Sequence, residues 1–111
     1  MTQPSGTVTL VFTDVEGSTR LLRELGRDAY QAMMAEHRGI VRAACARHAG
    51  YEVDNEGDAF FYAFGSAGEA LAAVAETMAD LTETAIRIRV GVHTGEPSLD
   101  PPKYVLSLIH I

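Results

Sequence analysis

The sequence of 111 residues lacks several features that would place it in common classes of protein. It has a single cysteine, Cys45, which excludes an internal disulfide and fits a reducing compartment. No apolar stretch reaches the ~18 residues that a membrane-spanning helix needs. Residues 1–6 are polar and lack the charged and apolar regions of a signal peptide. We therefore expect a cytoplasmic protein that does not enter a membrane.

Positive charge is also scarce. Lysine and arginine together number 9, against 15 aspartates and glutamates, and the formal net charge is −6. This balance disfavours non-specific binding to nucleic acid or to an anionic membrane, so neither is expected as a partner. One bound polyphosphate is not excluded, because metal ions would neutralise its charge. The length allows one domain with a single core, and 47% hydrophobic residues is ordinary for a globular protein.

What the sequence does contain is a regular succession of strand and helix patterns. The predicted elements are, in order, a strand at Thr7–Thr13, a short helix through Leu25 capped by Ser18 or Thr19, a helix from Asp28 to about His48, strands at Tyr51–Glu56 and Asp58–Phe64, a helix starting at Ser66, a strand at Ile86–Val92 and a proline-rich loop from Glu96 to Lys103. This order is typical of the α+β, ferredoxin-like split β-α-β-β-α-β plan, in which the helices pack on one face of the sheet.

The sequence also predicts where the second helix ends, where the third begins and which side of the third is buried. Gly50 is expected to end the second helix. Ser66 and Glu69 form a capping box at the start of the third. The apolar residues at helical spacing in that third helix predict its buried stripe, which comprises Leu71, Val74, Ala75, Met78 and Leu81.

Two aspartates stand in short, distinctive frames. Asp14 ends the apolar run within FTDVEGST, and Asp58 opens the run within EGDAFFYAF. The split plan places the first strand beside the third, which brings Asp14 near the hairpin that carries Asp58. Carboxylates at a strand end can hold Mg²⁺ near a phosphate, and two such cations about 3.5–4 Å apart drive in-line phosphoryl displacement. The alternative for each aspartate alone is a role in a turn or cap.

The segment after Asp14 predicts an anion site. The backbone amides of Glu16, Gly17, Ser18 and Thr19 lie at the start of a predicted helix, where N–H groups are free to bind phosphate. The glycine permits close approach of the ligand. The hydroxyls of Ser18 and Thr19 are expected to cap the helix rather than to take part in catalysis.

Three motifs in this order, FTDVEGST, EGDAFFYAF and RVGVHTGEP, resemble the catalytic domain of class III nucleotidyl cyclases, the adenylate and guanylate cyclase family, and in particular its bacterial branch. The resemblance covers Gly6 to about Val105. It implies two Mg²⁺ or Mn²⁺ ions held by Asp14, Asp58 and the main-chain carbonyl of Val15. One ion would lower the pKa of the ribose 3′-hydroxyl that attacks the α-phosphate, and the other would hold the triphosphate. It also implies a head-to-tail homodimer with catalytic sites between the subunits.

The chain departs from the family pattern at the position that contacts the base. Many adenylate cyclases have lysine there and guanylate cyclases have glutamate, whereas this chain has Asp54. A carboxylate only accepts hydrogen bonds, so Asp54 can accept from the adenine amine or from the guanine ring N–H and amine. Both ATP and GTP stay open as substrates, and most relatives of the branch favour ATP.

The second departure is at the end of the sequence. The family continues past Lys103-Tyr104-Val105 to an asparagine and an arginine that stabilise the transition state, whereas this sequence reads LSLIHI. We interpret residues 1–6 as an N-terminal tail, 7–105 as a partial cyclase catalytic domain and 106–111 as a non-native tail of a truncated reading frame. On this interpretation the fragment is inactive alone.

Two functions follow from the resemblance. The first is an adenylate cyclase-type phosphorus–oxygen lyase, which makes a 3′,5′-cyclic nucleotide and pyrophosphate in intracellular signal transduction. The second is a non-catalytic, nucleotide-sensing module that regulates attached domains. Asp54 favours the second function, and the presence of both Asp14 and Asp58 favours the first.

Overall fold

The protein was analysed as a computed structural model, which describes Pro4 and residues 6–96, 99–100 and 103–104. The predicted tail at 106–111 lies outside the described residues. The elements are β1 Val8–Val15, α1 Ser18–Leu25, α2 Arg27–Arg47, β2 Tyr51–Glu56, β3 Ala59–Phe64, α3 Ala67–Leu81, β4 Ile88–Gly95, β5 Leu99–Asp100 and β6 Lys103–Tyr104. The predicted α+β succession of elements is therefore confirmed. No helix in this described part of the chain combines the length and apolarity needed to cross a membrane.

The main sheet has four strands in the order β2-β3-β1-β4, and β1 is antiparallel to both of its neighbours. Thr13 shows the register, because its Cα is paired with Phe60 on one side and with Val90 on the other. The first strand is thus central and borders the third, as the ferredoxin-like plan predicts. The β5–β6 hairpin was predicted as loop, because strands of two residues are too short for alternation to reveal.

The sheet has one face covered by helices and an opposite face on which no described helix residue packs; we call the latter the open face, although its central residues are buried. Along each strand, side chains alternate between the two faces. The covered face packs against α2 and α3 in a cluster of Val11, Val41, Cys45, Phe60, Tyr62, Phe64, Ala70 and Ala73. The open face has a second cluster without helix residues, formed by Val8, Leu10, Phe12, Val53, Phe61 and Ala63. In the second cluster, Phe12 stacks on Phe61 with ring centroids 4.2 Å apart.

The buried stripe of α3 differs from the predicted one. Leu71 and Met78 are 57% and 50% exposed. Leu81 is buried as predicted and Val74 is partly buried against the core, whereas the other buried residues are Ala70, Ala73 and Thr77. Helical spacing alone allows either the stripe with Leu71 and Met78 or the neighbouring stripe with Ala70 and Ala73 to face the sheet. The alanine stripe is the buried one, because its small side chains let the helix approach the sheet closely.

The ends of two helices also differ from expectation. Gly17 is the N-cap of α1 in the left-handed region, at φ +67°, and no side chain caps this helix. The predicted capping by Ser18 or Thr19 is therefore wrong, because both residues lie inside the helix. At the end of α2 the left-handed residue is Ala49, at φ +59°. Gly50 is needed for a different reason, since a Cβ there would lie 2.8 Å from the ring of Phe64.

Ser66 is the N-cap of α3 as predicted, but only one half of the predicted capping box is formed. The hydroxyl of Ser66 accepts the backbone N–H of Glu69 at 3.3 Å. The carboxylate of Glu69 does not return to the cap but contacts His48 Nδ1 at 2.7 Å. His48 Nε2 lies 3.1 Å from the carboxylate of Glu76, which is also on α3. These two carboxylates raise the pKa of His48 and tie the end of α2 to α3.

A second polar network ties α2 to the covered face. Arg42 donates to both carboxylate oxygens of Glu52, at 2.9 and 3.0 Å, and the Tyr62 hydroxyl donates to the same carboxylate at 2.9 Å. The guanidinium also lies 5.3 Å from the centroid of the Phe60 ring. These bonds from Arg42 hold the pKa of Glu52 below its ordinary value. The Glu52 carboxylate and the Phe60 ring thus hold the arginine in one position.

Candidate cation and phosphate site

Asp14 lies on the open face, inside β1 rather than after it as predicted. Its Cα is paired with that of Arg89 on β4, and the guanidinium of Arg89 forms an ion pair with the Asp14 carboxylate. The Asp14 side chain is 42% exposed. The pair borders a cleft of about 330 Å³ that is also lined by Phe12, Thr13, Ala59, Val90 and Gly91. A polar ligand therefore has direct access to this carboxylate.

Asp58 lies in the turn between β2 and β3. Gly57 precedes it at φ +60°, a conformation that glycine adopts without strain. The Asp58 side chain is half-buried and borders a cleft of about 450 Å³ between this turn and the helices. The other residues lining that cleft are Ser18, Tyr30, Gln31, Met34, Arg38 and Gly57. Arg38 is a cation that the sequence analysis did not single out.

The fold brings the backbones of the two aspartates to the same end of neighbouring strands. Thr13 of β1 is paired with Phe60 of β3, and the next residues in that direction are Asp14 and Ala59. Asp14 and Ala59 line one cleft, and Asp58, which immediately precedes Ala59, lines the other. The Asp14 and Asp58 carboxylates therefore line two separate clefts. The clefts are neighbours, because Asp58 and Ala59, which line one each, are consecutive residues. Shared ligation of a cation pair stays a prediction.

The donors at this end of the sheet suit a hard cation. Two carboxylates and a main-chain carbonyl supply oxygen ligands only, and the carbonyl is what Val15 can offer a cation because its side chain is a hydrocarbon. Within the described ranges, no three or more His, Cys, Asp or Glu residues are grouped to hold a metal ion. Water and phosphate oxygens would have to complete the coordination. Mg²⁺ is usually bound in this way, through one or two carboxylates and a substrate phosphate.

The predicted anion site lies at the start of α1. The N–H of Glu16 donates to the carbonyl of Arg87 at 2.7 Å, so this amide is already engaged with the segment before β4. The first N–H groups of a helix have no acceptor within it, which leaves those of Ser18 and Thr19 as donors beside Gly17. Ser18 also borders the Asp58 cleft. The anion site and the second aspartate are therefore neighbours.

Asp54 lies on the open face because β2 is irregular. Glu52 is paired with Tyr62 and Asp54 with Phe61, so two residues of β2 correspond to a single step on β3. Such a bulge turns the following side chain to the other face. Asp54 Oδ1 accepts the N–H of Asn55 at 2.9 Å. Its shallow cleft of about 160 Å³ shares Phe12 and Ala59 with the Asp14 cleft.

His37 is a further group near the site. It is fully buried on α2, and neither ring nitrogen has a hydrogen-bond partner among the residues that the structure describes. Burial lowers the pKa of His37, and the nearby Asp58 carboxylate opposes that shift. His37 shares the buried side of α2 with Met34, Val41, Ala44 and Cys45. Its proximity to Asp58 was not predicted, because it depends on how α2 packs against the hairpin turn.

Comparison with known proteins gives the family. Residues 1–99 match the family described as the adenylate and guanylate cyclase catalytic domain. The chain therefore belongs to this family, which confirms the resemblance.

Two relatives illustrate how much of each protein is shared. The adenylate cyclase of Lachancea kluyveri is 46% identical over 68 residues, which is 61% of this chain and 4% of that protein. An uncharacterised protein of Mycobacterium tuberculosis is 39% identical over 104 residues, 92% of this chain and 36% of that protein. The chain thus spans a minor part of each relative. Since the relatives come from fungi as well as bacteria, the bacterial branch stays a prediction.

Solved structures share the fold. A Trypanosoma brucei adenylate cyclase, studied in its monomeric state, superposes with a TM-score of 0.83 at 24% identity, over 92% of this chain and 64% of that one. The dimeric guanylyl cyclase domain of a fusion protein from Blastocladiella emersonii gives 0.75 at 19% identity, over 89% and 65%. The Catenaria anguillulae guanylate cyclase domain in complex with GTP gives 0.74 at 18% identity, over 88% and 63%. At these identities the likeness establishes the cyclase fold.

Proposed function

We propose that this chain is the nucleotide- and metal-binding part of a cyclase that converts ATP, or alternatively GTP, into a 3′,5′-cyclic nucleotide and pyrophosphate. One observation carries the proposal: in a chain of the cyclase family, Asp14 and Asp58 lie at the same end of two neighbouring strands. Two-metal phosphoryl transfer would require both side chains to turn from their separate clefts toward one cation pair at this end of the sheet. The cytoplasmic location and the role in intracellular signalling are part of the proposal.

Two Mg²⁺ or Mn²⁺ ions bound at Asp14, Asp58 and the Val15 carbonyl would supply the Lewis-acid chemistry of the reaction. The protein's own contribution is position. The β1–β3 pairing holds the backbones of both aspartates at one end of the sheet. The amides of Ser18 and Thr19 at the start of α1 would donate hydrogen bonds to phosphate oxygens. No protein nucleophile is required, because positioning and charge stabilisation carry phosphoryl transfer.

The substrate class within the family depends on Asp54. Its place beside Phe12 on the open face suits contact with a base edge, and its carboxylate accepts hydrogen bonds only. Adenylate cyclases among the relatives support ATP, and the GTP complex of the Catenaria domain supports GTP as the alternative. We favour ATP. A head-to-tail homodimer is part of the proposal; the Blastocladiella domain, a non-canonical dimer, supports only the capacity of a cyclase domain to pair with a second copy.

The test is product formation by the protein that carries this domain in full. Incubation with Mn²⁺ and ATP or GTP should yield cyclic nucleotide. Asp14→Ala and Asp58→Ala should each lower the rate by about a thousandfold or more, because each removes a metal ligand. Asp80→Ala is the matched control, since Asp80 is an exposed carboxylate on α3 that pairs with Arg47. Unchanged turnover in either site variant would contradict the mechanism.

A nucleotide-sensing module is the second candidate function. Asp54, which departs from both base-contacting residues of the family, is the observation that favours it. The same assay separates the two functions when nucleotide binding is measured in parallel. Binding of ATP or GTP without cyclic product would support the sensor, and product with either substrate would exclude a purely non-catalytic role.

A further inference from the structure

We propose that Arg89 is a latch on the cation site: it holds the Asp14 carboxylate when no divalent cation is bound, and a cation must displace it to bind. The inference rests on the proposed function, because it concerns the same carboxylate. It makes Arg89 a residue that sets the cation concentration at which the site fills.

The sheet register makes the latch possible. Asp14 and Arg89 are directly paired across β1 and β4, so their side chains emerge on the same face and lie within reach of each other. An Nη2 hydrogen of Arg89 is donated to Asp14 Oδ2. A divalent cation would use lone pairs of the same carboxylate. The guanidinium and the cation therefore compete for one ligand.

Exposure determines how strong the competition is. The side chains of Arg89 and Asp14 are 66% and 42% exposed, so water screens the pair. Exposed pairs of this kind are weak. The latch therefore weakens cation binding without preventing it. We expect Arg89 to raise the apparent Kd of the cation about three- to sixfold.

Arg87 provides the matched control. It carries the same charge two residues away, but its guanidinium donates to the backbone carbonyls of Thr84 and Ile86, at 2.8 and 2.9 Å. Loss of either arginine changes the net charge equally. Only the loss of Arg89 frees the Asp14 carboxylate.

The experiment is a Mn²⁺ titration of the 111-residue chain without nucleotide, with free Mn²⁺ measured by electron paramagnetic resonance. Arg89→Gln should tighten the apparent Kd about three- to sixfold. Arg87→Gln should change it by less than about 1.5-fold, because screening weakens a charge that does not touch the ligand. Equal tightening by both variants, weaker binding, or no measurable binding by Arg89→Gln would overturn the latch.

Two further variants complete the test. Arg89→Lys keeps the charge, so its Kd should stay within about twofold of wild type; tightening equal to that of Arg89→Gln would contradict the latch. In an Asp14→Asn background, Arg89→Gln should have no effect. If Asp14→Asn leaves Mn²⁺ binding unchanged, the proposed cation site itself fails. If it abolishes binding while Arg89→Gln alone changes nothing, only the latch fails.

Discussion

Two arginine–carboxylate pairs lie on opposite faces of the same sheet, and they differ in what surrounds them. On the covered face, Arg42 makes two hydrogen bonds to Glu52, which also accepts from Tyr62. On the open face, Arg89 contacts Asp14 in an exposed pair. The first pair is fixed by several partners and holds a helix to the sheet. The second is bordered by a cleft and can exchange its partner for a ligand.

The difference shows that the type of interaction does not by itself reveal its role. Both pairs join residues of different secondary-structure elements, and both involve a guanidinium and a carboxylate. The additional hydrogen bonds of the Arg42–Glu52 pair decide which one stabilises the fold. The open pair leaves Asp14 available for chemistry at little cost in stability. Four measurements test this account of the two faces.

The largest expected effect is on stability at the covered face. Glu52→Ala should lower the free energy of unfolding by about 2 kcal/mol, because Arg42 and the half-buried Tyr62 hydroxyl lose their acceptor. Asp14→Asn, the matched change on the open face, should alter it by no more than about 1 kcal/mol. Urea unfolding followed by circular dichroism measures both. Equal losses would contradict the proposed difference between the pairs.

The next effect concerns the base-contacting position on the open face. Asp54→Lys introduces a donor where only an acceptor exists, so the preference for ATP over GTP should rise about tenfold in the protein that carries this domain in full. Glu56→Lys makes the same charge change in the same cleft and is the control. Competition assays with both nucleotides measure the preference. No shift, or an equal shift in the control, would remove Asp54 from base recognition.

A smaller effect concerns pH and the helix layer. Because Glu69 and Glu76 raise the pKa of His48 above its ordinary value of 6.5, the protonated histidine stabilises the fold below that pH. This contribution is lost as the pH rises through the folded-state pKa. Burial lowers the pKa of His37, so His37 acts in the opposite sense and costs stability as the pH falls below 6.5.

The two histidines can be separated by substitution. Urea unfolding of wild type should show stability falling as the pH rises above 6.5, whereas His48→Gln should lose that decline. The fall below 6.5 should persist in His48→Gln, because it depends on His37. A decline above 6.5 that is the same in both proteins would show that His48 is not its source.

The fold could be predicted largely from sequence, because hydrophobic alternation and helical spacing are local signals. The order of elements placed β1 next to β3, and this fixed the neighbourhood of Asp14 and Asp58. The face of α3 could not be predicted in the same way. Leu71 and Met78 are more apolar than Ala70 and Ala73, but close packing on the sheet favours the smaller side chains.

The site was less predictable because it depends on contacts between distant residues. Arg89 and Asp14 are 75 residues apart in the sequence, and only the β1–β4 register pairs them. The irregularity between Glu52 and Asp54 likewise has no local signature, although it decides that Asp54 lies on the open face. The register of a sheet depends on pairing between strands that are distant in the sequence, whereas a motif carries information only about its own segment.

The most direct test of the account is whether Asp14 and Asp58 bind the same cations. Mn²⁺ affinity in the presence of a non-hydrolysable nucleotide should be measured for wild type, Asp14→Asn, Asp58→Asn and the double variant. We predict that each single change weakens binding and that the double variant loses about tenfold less than the product of the two single losses, the mark of coupled ligands. Losses that multiply independently, or no loss in either single variant, would contradict the account.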